Sequence, residues 1–202
     1  MLNGDQRRIR LLYSLLFSLP GAPVLFYGEE IGMGENLEVP GRLSVRTPMQ
    51  WTSGPTGGFS AASMRRLCRR PPDGPFAPLS VNVSDQRGDP DSLLTWMSAA
   101  IRCRRQTPEF GWGEPSVLKV DHPCLFAHQC RWNDRTAVAV HNFSDERRTT
   151  RLTFDHALEG EVVVLFGGDR DDLRIHDRTL EFEIDACGYR WFRLGPSPAP
   201  KI

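Results

Sequence analysis

Apolar residues recur at helical spacing near the N-terminus. Ile9, Leu12, Tyr13, Leu16 and Leu19 follow i, i+3, i+4, i+7. Leu11 and Leu15 widen that stripe, so a helix over 5–19 is expected to be covered on more than one side. Asp5 stands where an N-cap is needed, and Pro20-Gly21 stops the helix. The next run, Pro23-Val24-Leu25-Phe26-Tyr27, is apolar without alternation and ends at Gly28. Unbroken hydrophobicity of that length predicts a parallel strand buried on both faces. Residues 28–90 have no clear period and are rich in Gly, Pro, Arg and Ser, the composition of a long loop that is either functional or disordered. Helical spacing returns over 91–106. Asp91 or Ser92 can cap this helix, Leu93, Met97, Ala100 and Ile101 line one face, and Thr107-Pro108 ends it.

From about residue 112 the period becomes two. Leu180-Glu181-Phe182-Glu183-Ile184 alternates cleanly, while 137–140 and 162–166 read as buried strands. With 116–120, 124–132, 149–154 and 188–194 this makes about seven short strands separated by polar turns, the pattern of a small antiparallel sandwich. The predicted class is therefore α/β plus all-β. Residues 1–110 form an α/β segment with the long loop 28–90, residues 111–195 a β-sandwich, and residues 196–202 a Pro-rich flexible tail. One helix–strand–loop–helix passage cannot close a barrel, and a lone buried parallel strand leaves two open edges and two apolar faces.

Composition narrows the function classes. The length of 202 residues falls short of a complete eight-fold β/α barrel, which needs about 250. Twenty-five basic residues balance 25 acidic ones, so no global field favours nucleic acid or an anionic membrane. The apolar run ending at Leu19 is too short to span a bilayer and lacks a signal-peptide layout. The 5 cysteines are odd in number and contain no C-x-x-C, so neither a disulfide framework nor a zinc site is expected. A cytoplasmic protein with no metal and no cofactor is the resulting expectation.

Two blocks carry a resemblance. Residues 18–34 read Ser-Leu-Pro-Gly-Ala-Pro-Val-Leu-Phe-Tyr-Gly-Glu-Glu-Ile-Gly-Met-Gly, and residues 45–51 read Val-Arg-Thr-Pro-Met-Gln-Trp. Together they resemble the last barrel strand and following loop of the α-amylase superfamily, glycoside hydrolase family 13. The second block resembles its trehalose-synthase and oligo-1,6-glucosidase branch. Asp-Pro-Asp-Ser-Leu-Leu at 89–94 resembles the final barrel helix, and the strands from 112 resemble the C-terminal sandwich. The resemblance implies a C-terminal fragment of a (β/α)8 barrel, comprising the last strand and flanking helices, followed by the sandwich. It implies an α-glucoside substrate such as maltose and cleavage with retention by two carboxylates about 5–5.5 Å apart. In the family those carboxylates precede the segment aligned with residue 1. The chain is thus expected to hold no catalytic residue, to be inactive alone, and to have the missing N-terminal barrel portion as a partner. One departure is the stretch at 38–44, which lacks the Asp that relatives often carry before Arg-Thr-Pro-Met-Gln-Trp.

Arg46, Gln50, Trp51 and Glu30 are the candidate substrate-binding residues. Arg46 can fork hydrogen bonds onto sugar hydroxyls or a carboxylate, and Trp51 offers a flat face to a pyranose. The plainer alternative has Met49 and Trp51 packing the loop down and Arg46 pairing with an acid. Glu29 and Glu30, as strand neighbours, would point to opposite sides and could not flank one bond. Asp169, Asp171 and Asp172 read as a solvated turn, and Arg65-Arg66-Leu67-Cys68-Arg69-Arg70 as a flexible basic loop rather than a nucleic-acid site. The histidines show no metal spacing, and His141 reads as a hydrogen-bonded core or face residue. The alternative to an enzyme fragment is a non-catalytic carbohydrate-binding or protein-interaction module.

Overall fold

The computed structural model describes residues 2, 4–155, 162–168 and 173–195. The aspartates at 169, 171 and 172, His156 and the tail from 196 lie outside the described residues. The chain divides into two compact units, Val24–Ala99 and Met1–Pro23 with Ala100–Ile202.

The larger unit is built on a sandwich. Its first sheet holds β1 (Glu114–Leu118), β2 (Leu125–Trp132), β3 (Arg135–Asn142), β8 (Tyr189–Leu194) and β5 (Val163–Phe166), in that spatial order. The second holds β4 (Arg148–Thr153), β7 (Thr179–Ile184) and β6 (Arg174–His176). Every pairing is antiparallel, as the period of two predicts. Alternate residues of the two sheets meet in one core: Ala127, Val138, Val140 and Phe192 from the first, Leu152, Leu180 and Phe182 from the second. Seven strands lie where the alternation places them. The three-residue edge strand β6 was not expected, because all its residues are exposed and carry no burial signal.

The other face of the first sheet is also covered. There β2, β3 and β8 present His128, Cys130, Ala137, His141 and Trp191, all buried. Two helices pack on that face: α1 (Gln6–Ser18) and α4 (Glu109–Trp112). Asp5 caps α1 as predicted, accepting the Arg7 N–H at 2.9 Å. The buried stripe of α1 differs from expectation. Leu11, Ser14, Phe17 and Ser18 are buried, whereas Leu12 is 41% exposed. Ser14 faces inward because the sheet offers imidazole and indole groups that need polar partners, while the Ser18 hydroxyl donates back to the Leu15 carbonyl at 3.1 Å.

The smaller unit has a modest core of Ile31, Met49 and Val83, with Met33, Val81 and Leu94 against it. Polar side chains do much of the ordering. Asn82 caps α2 (Val83–Arg87) by accepting the Asp85 N–H at 2.9 Å. Gln86 donates to the Ile31 carbonyl at 2.7 Å and accepts the Leu94 N–H at 3.1 Å. Ser92 accepts the Thr95 N–H at 3.2 Å at the head of α3 (Leu93–Arg105), where Leu93, Met97 and Ala100 are buried as their spacing predicts.

Residues 23–27 depart from the predicted strand. They belong to neither sheet, and Val24 is 84% exposed. A parallel strand is held by ladder bonds to neighbours, and none of the described strands pairs with this run. Among the described residues no helix is long and apolar enough to cross a membrane.

Candidate functional site

The loop of the smaller unit is anchored at Gln50. This residue is fully buried, and its Nε2 donates to the Phe76 carbonyl at 3.1 Å and to that of Val81. Its own carbonyl accepts the Val83 N–H at 2.9 Å, and that of Trp51 accepts the Ser84 N–H at 3.0 Å. Gly57, at φ +63°, lets its carbonyl take both the Trp51 and Thr52 N–H groups, a backbone conformation in which a Cβ is strained. The Arg-Thr-Pro-Met-Gln-Trp stretch is thus fixed from behind, and Thr47, Pro48, Met49 and Gln50 are buried in succession.

Arg46 precedes that buried run and is exposed. It lines a cavity of about 430 Å³ together with Tyr27, Phe59, Arg66 and Arg69. Tyr27 is held in place by its hydroxyl, which donates to the Thr47 carbonyl at 2.8 Å. Among the described residues no acidic side chain and no histidine lines this cavity. It can therefore bind through guanidinium groups and aromatic faces.

Of the four residues expected to contact substrate, only Arg46 lines the cavity. Gln50 lies beneath the loop. Trp51 is 48% exposed and outside the cavity lining. Glu30 sits in a 3-10 turn, Glu29–Ile31, rather than on a strand, so the argument from alternating strand neighbours does not apply. Its carboxylate turns back to accept the Gly28 N–H at 2.7 Å. In sequence Arg66 and Arg69 are part of a basic run and nothing more. No periodicity links them to Arg46, and only the return of the chain brings the three together.

A second group of ionisable side chains lies in the larger unit. The imidazoles of His128 and His141 stack at 6.2 Å, 3° from parallel. His141 Nε2 shares a hydrogen bond with Ser14 Oγ at 3.1 Å, and His128 Nε2 bonds the Ser18 carbonyl at 2.9 Å. Burial pushes His141 down to about 3, with the neighbouring His128 acting in the same direction. Burial also lowers His128. Both rings are neutral near pH 7 and serve packing. Among the described residues no group of three or more His, Cys, Asp or Glu side chains could hold a metal ion.

Residues 1–113 match the family model described as alpha amylase, catalytic domain, and residues 135–193 that of the sucrose hydrolase-like C-terminal domain. Trehalose synthase of Pimelobacter sp. is 35% identical over 96% of this chain and 35% of its own length. Trehalose synthase/amylase of Mycobacterium tuberculosis is 39% identical over 96% of this chain and 33% of its own. The chain thus spans about a third of the length of these curated relatives. Among solved structures, trehalose-6-phosphate hydrolase of Bacillus licheniformis superposes with a TM-score of 0.75 at 20% identity, covering 96% of this chain and 40% of that one. The α-amylase of H. orenii gives 0.71 at 22% identity, covering 96% and 36%. These two likenesses show the fold, that of the last barrel segment and the sandwich after it. The match of more than half the sequence to the catalytic-domain model shows that the chain belongs to the α-amylase family.

Proposed function

We propose that this chain works as the C-terminal portion of a retaining α-glucosidase or trehalose-synthase-type glucosyltransferase acting on α-glucosides such as maltose. The observation that carries the reading is the pair Arg46 and Gln50: one at a cavity mouth, the other fixing the same loop from beneath. A loop anchored in that way presents a guanidinium to sugar hydroxyls with little entropy left to lose on binding. Trp51 and Glu30 belong to the same rim, and Arg46 contacts the acceptor sugar. The nucleophilic carboxylate that takes up the glucosyl group and the acid that protonates the leaving oxygen come from barrel strands outside these residues, and the barrel portion that carries them is the partner. The site of action is the cytoplasm, which the unpaired state of all five cysteines supports.

The test is turnover. The 202-residue chain alone is expected to leave maltose, trehalose and p-nitrophenyl α-glucoside unchanged. Joined to or mixed with a segment carrying the earlier barrel strands, it is expected to act on maltose, and Arg46→Ala to raise KM. Activity of the chain alone that Glu30→Gln abolishes would overturn the reading.

A polar cavity on the sandwich, lined by Lys119, Asp121, Thr150, Arg151 and Glu181 among others, favours a second reading, a non-catalytic carbohydrate-binding module. Maltose binding that survives Arg46→Ala and is lost on Asp121→Ala would select it.

A further inference from the structure

We infer that the cavity of Arg46, Arg66 and Arg69 takes a phosphorylated sugar, the phosphate among the three guanidinium groups and the ring against Tyr27 and Phe59. This deepens the reading of the Arg46 loop as a sugar-facing surface and rests on it.

The charge arrangement carries the argument. In the sandwich unit several arginines are paired with acids: Arg8 with Asp145 at 2.7 Å, Arg151 with Glu181 at 2.6 Å, Arg193 with Glu109 at 2.6 Å. Among the described residues Arg46, Arg66 and Arg69 form no ion pair, yet all three line one cavity without an acidic residue. In a chain with 25 basic and 25 acidic residues, nothing in composition forces such a cluster. Three like charges around one cavity repel each other, and an anion within it relieves that repulsion. Arginine suits the task because its planar fork matches phosphate oxygens two at a time. The cavity on the sandwich shows the contrast: there Lys119 and Arg151 are offset by Asp121 and Glu181, leaving no net charge to recruit an anion.

The remaining lining sets the second half of the ligand. The volume of about 430 Å³ lies in the ordinary range for small-molecule sites, larger than a bare phosphate requires. Tyr27 and Phe59 offer flat apolar faces of the kind that pack against a pyranose. Ser60 adds a hydroxyl to the lining. A neutral sugar uses the aromatic faces, and a phosphate carried on it compensates the charge as well.

The test is calorimetric titration of the 202-residue chain with three probes: glucose 6-phosphate, glucose and inorganic phosphate. Glucose 6-phosphate is expected to bind at least about tenfold more tightly than either of the others. Its affinity is expected to fall severalfold as salt rises from 50 to 500 mM, a readout needing no substitution. Arg66→Ala and Arg69→Ala are each expected to weaken it about tenfold, the scale of one charge-assisted hydrogen bond, with Arg66→Lys intermediate. Arg66 is exposed and its guanidinium bonds nothing among the described residues, so its replacement leaves the fold intact. Equal affinity for glucose and glucose 6-phosphate overturns the inference. So does inorganic phosphate binding as tightly as the sugar phosphate, which marks an anion site with no sugar component. Maltose turnover by the joined protein tests the underlying reading separately, because no phosphate takes part in it.

Discussion

The hydroxyl of Ser14 lies 3.1 Å from His141 Nε2 and accepts the Trp191 indole N–H at 3.0 Å. All three residues are fully buried, so one α1 side chain satisfies two sheet groups that water cannot reach. A buried polar group left unpaired costs about 1–3 kcal/mol. Ser14→Ala orphans two at once and is expected to destabilise the larger unit by about 2–4 kcal/mol. Urea unfolding followed by Trp fluorescence measures it. A loss under about 0.5 kcal/mol would show that the hydroxyl is dispensable.

The same cluster makes stability depend on pH. His141 sits at about 3 when folded, against about 6.5 in an unfolded chain. Below pH 6.5 the unfolded state binds a proton that the folded state refuses, so stability is full above that point and declines as pH falls toward 3. The loss from His141 is about 2 kcal/mol at pH 5. His128, also lowered by burial, adds to it in the same direction. Asp5 and Asp145, held low by Arg7 and Arg8, lose their stabilising charge only at more acid pH, below the window from 7 to 5. His141→Gln keeps a polar partner for Ser14 and removes the titration. Melting temperatures at pH 7 and 5 are expected to differ clearly less in this variant than in the parent.

Arg193 forks onto Glu109, with Nε and Nη2 at 2.6 and 3.0 Å from the two carboxylate oxygens, and Glu109 is fully buried. Truncating Arg193 to Ala strands that carboxylate in the interior, at an expected cost of about 3–5 kcal/mol. Replacing both residues with Leu removes the stranded charge and is expected to recover most of the loss. A double-mutant cycle on unfolding free energy checks both statements. Additive losses would show that the two side chains act independently.

The legible parts of this molecule were those written in a repeating pattern. Leu180 to Ile184 alternates and forms β7; Leu93, Met97 and Ala100 recur at helical spacing and are buried. Ser14 and Ser18 escaped a hydrophobic template because polar residues fill core positions of α1. The run at 23–27 misled for the opposite reason: its apolarity is real, but a strand is defined by its neighbours. The two blocks around Tyr27 and Arg46 pointed to the family through residue identity rather than period. Arg66 and Arg69 join Arg46 through the path of a loop held by Gln50, Asn82 and Gln86, and no local spacing encodes that path.

Gln50 gives the sharpest separation between anchoring and contact. Gln50→Leu keeps the volume roughly constant but removes the donor that serves the Phe76 and Val81 carbonyls. Two part-buried acceptors then lose their partner, and the 28–90 loop is expected to open more often. Trypsin reads this directly, since Arg65, Arg66 and Arg69 follow in one run. Cleavage there is expected to accelerate at least about tenfold under conditions where opening precedes cutting. The sandwich core shares no residue with this anchor, so its melting transition is expected to stay within about 1 °C. Affinity for glucose 6-phosphate is expected to fall with the loop, although Gln50 does not line the cavity. Unchanged proteolysis with reduced affinity would instead place Gln50 in contact with the ligand.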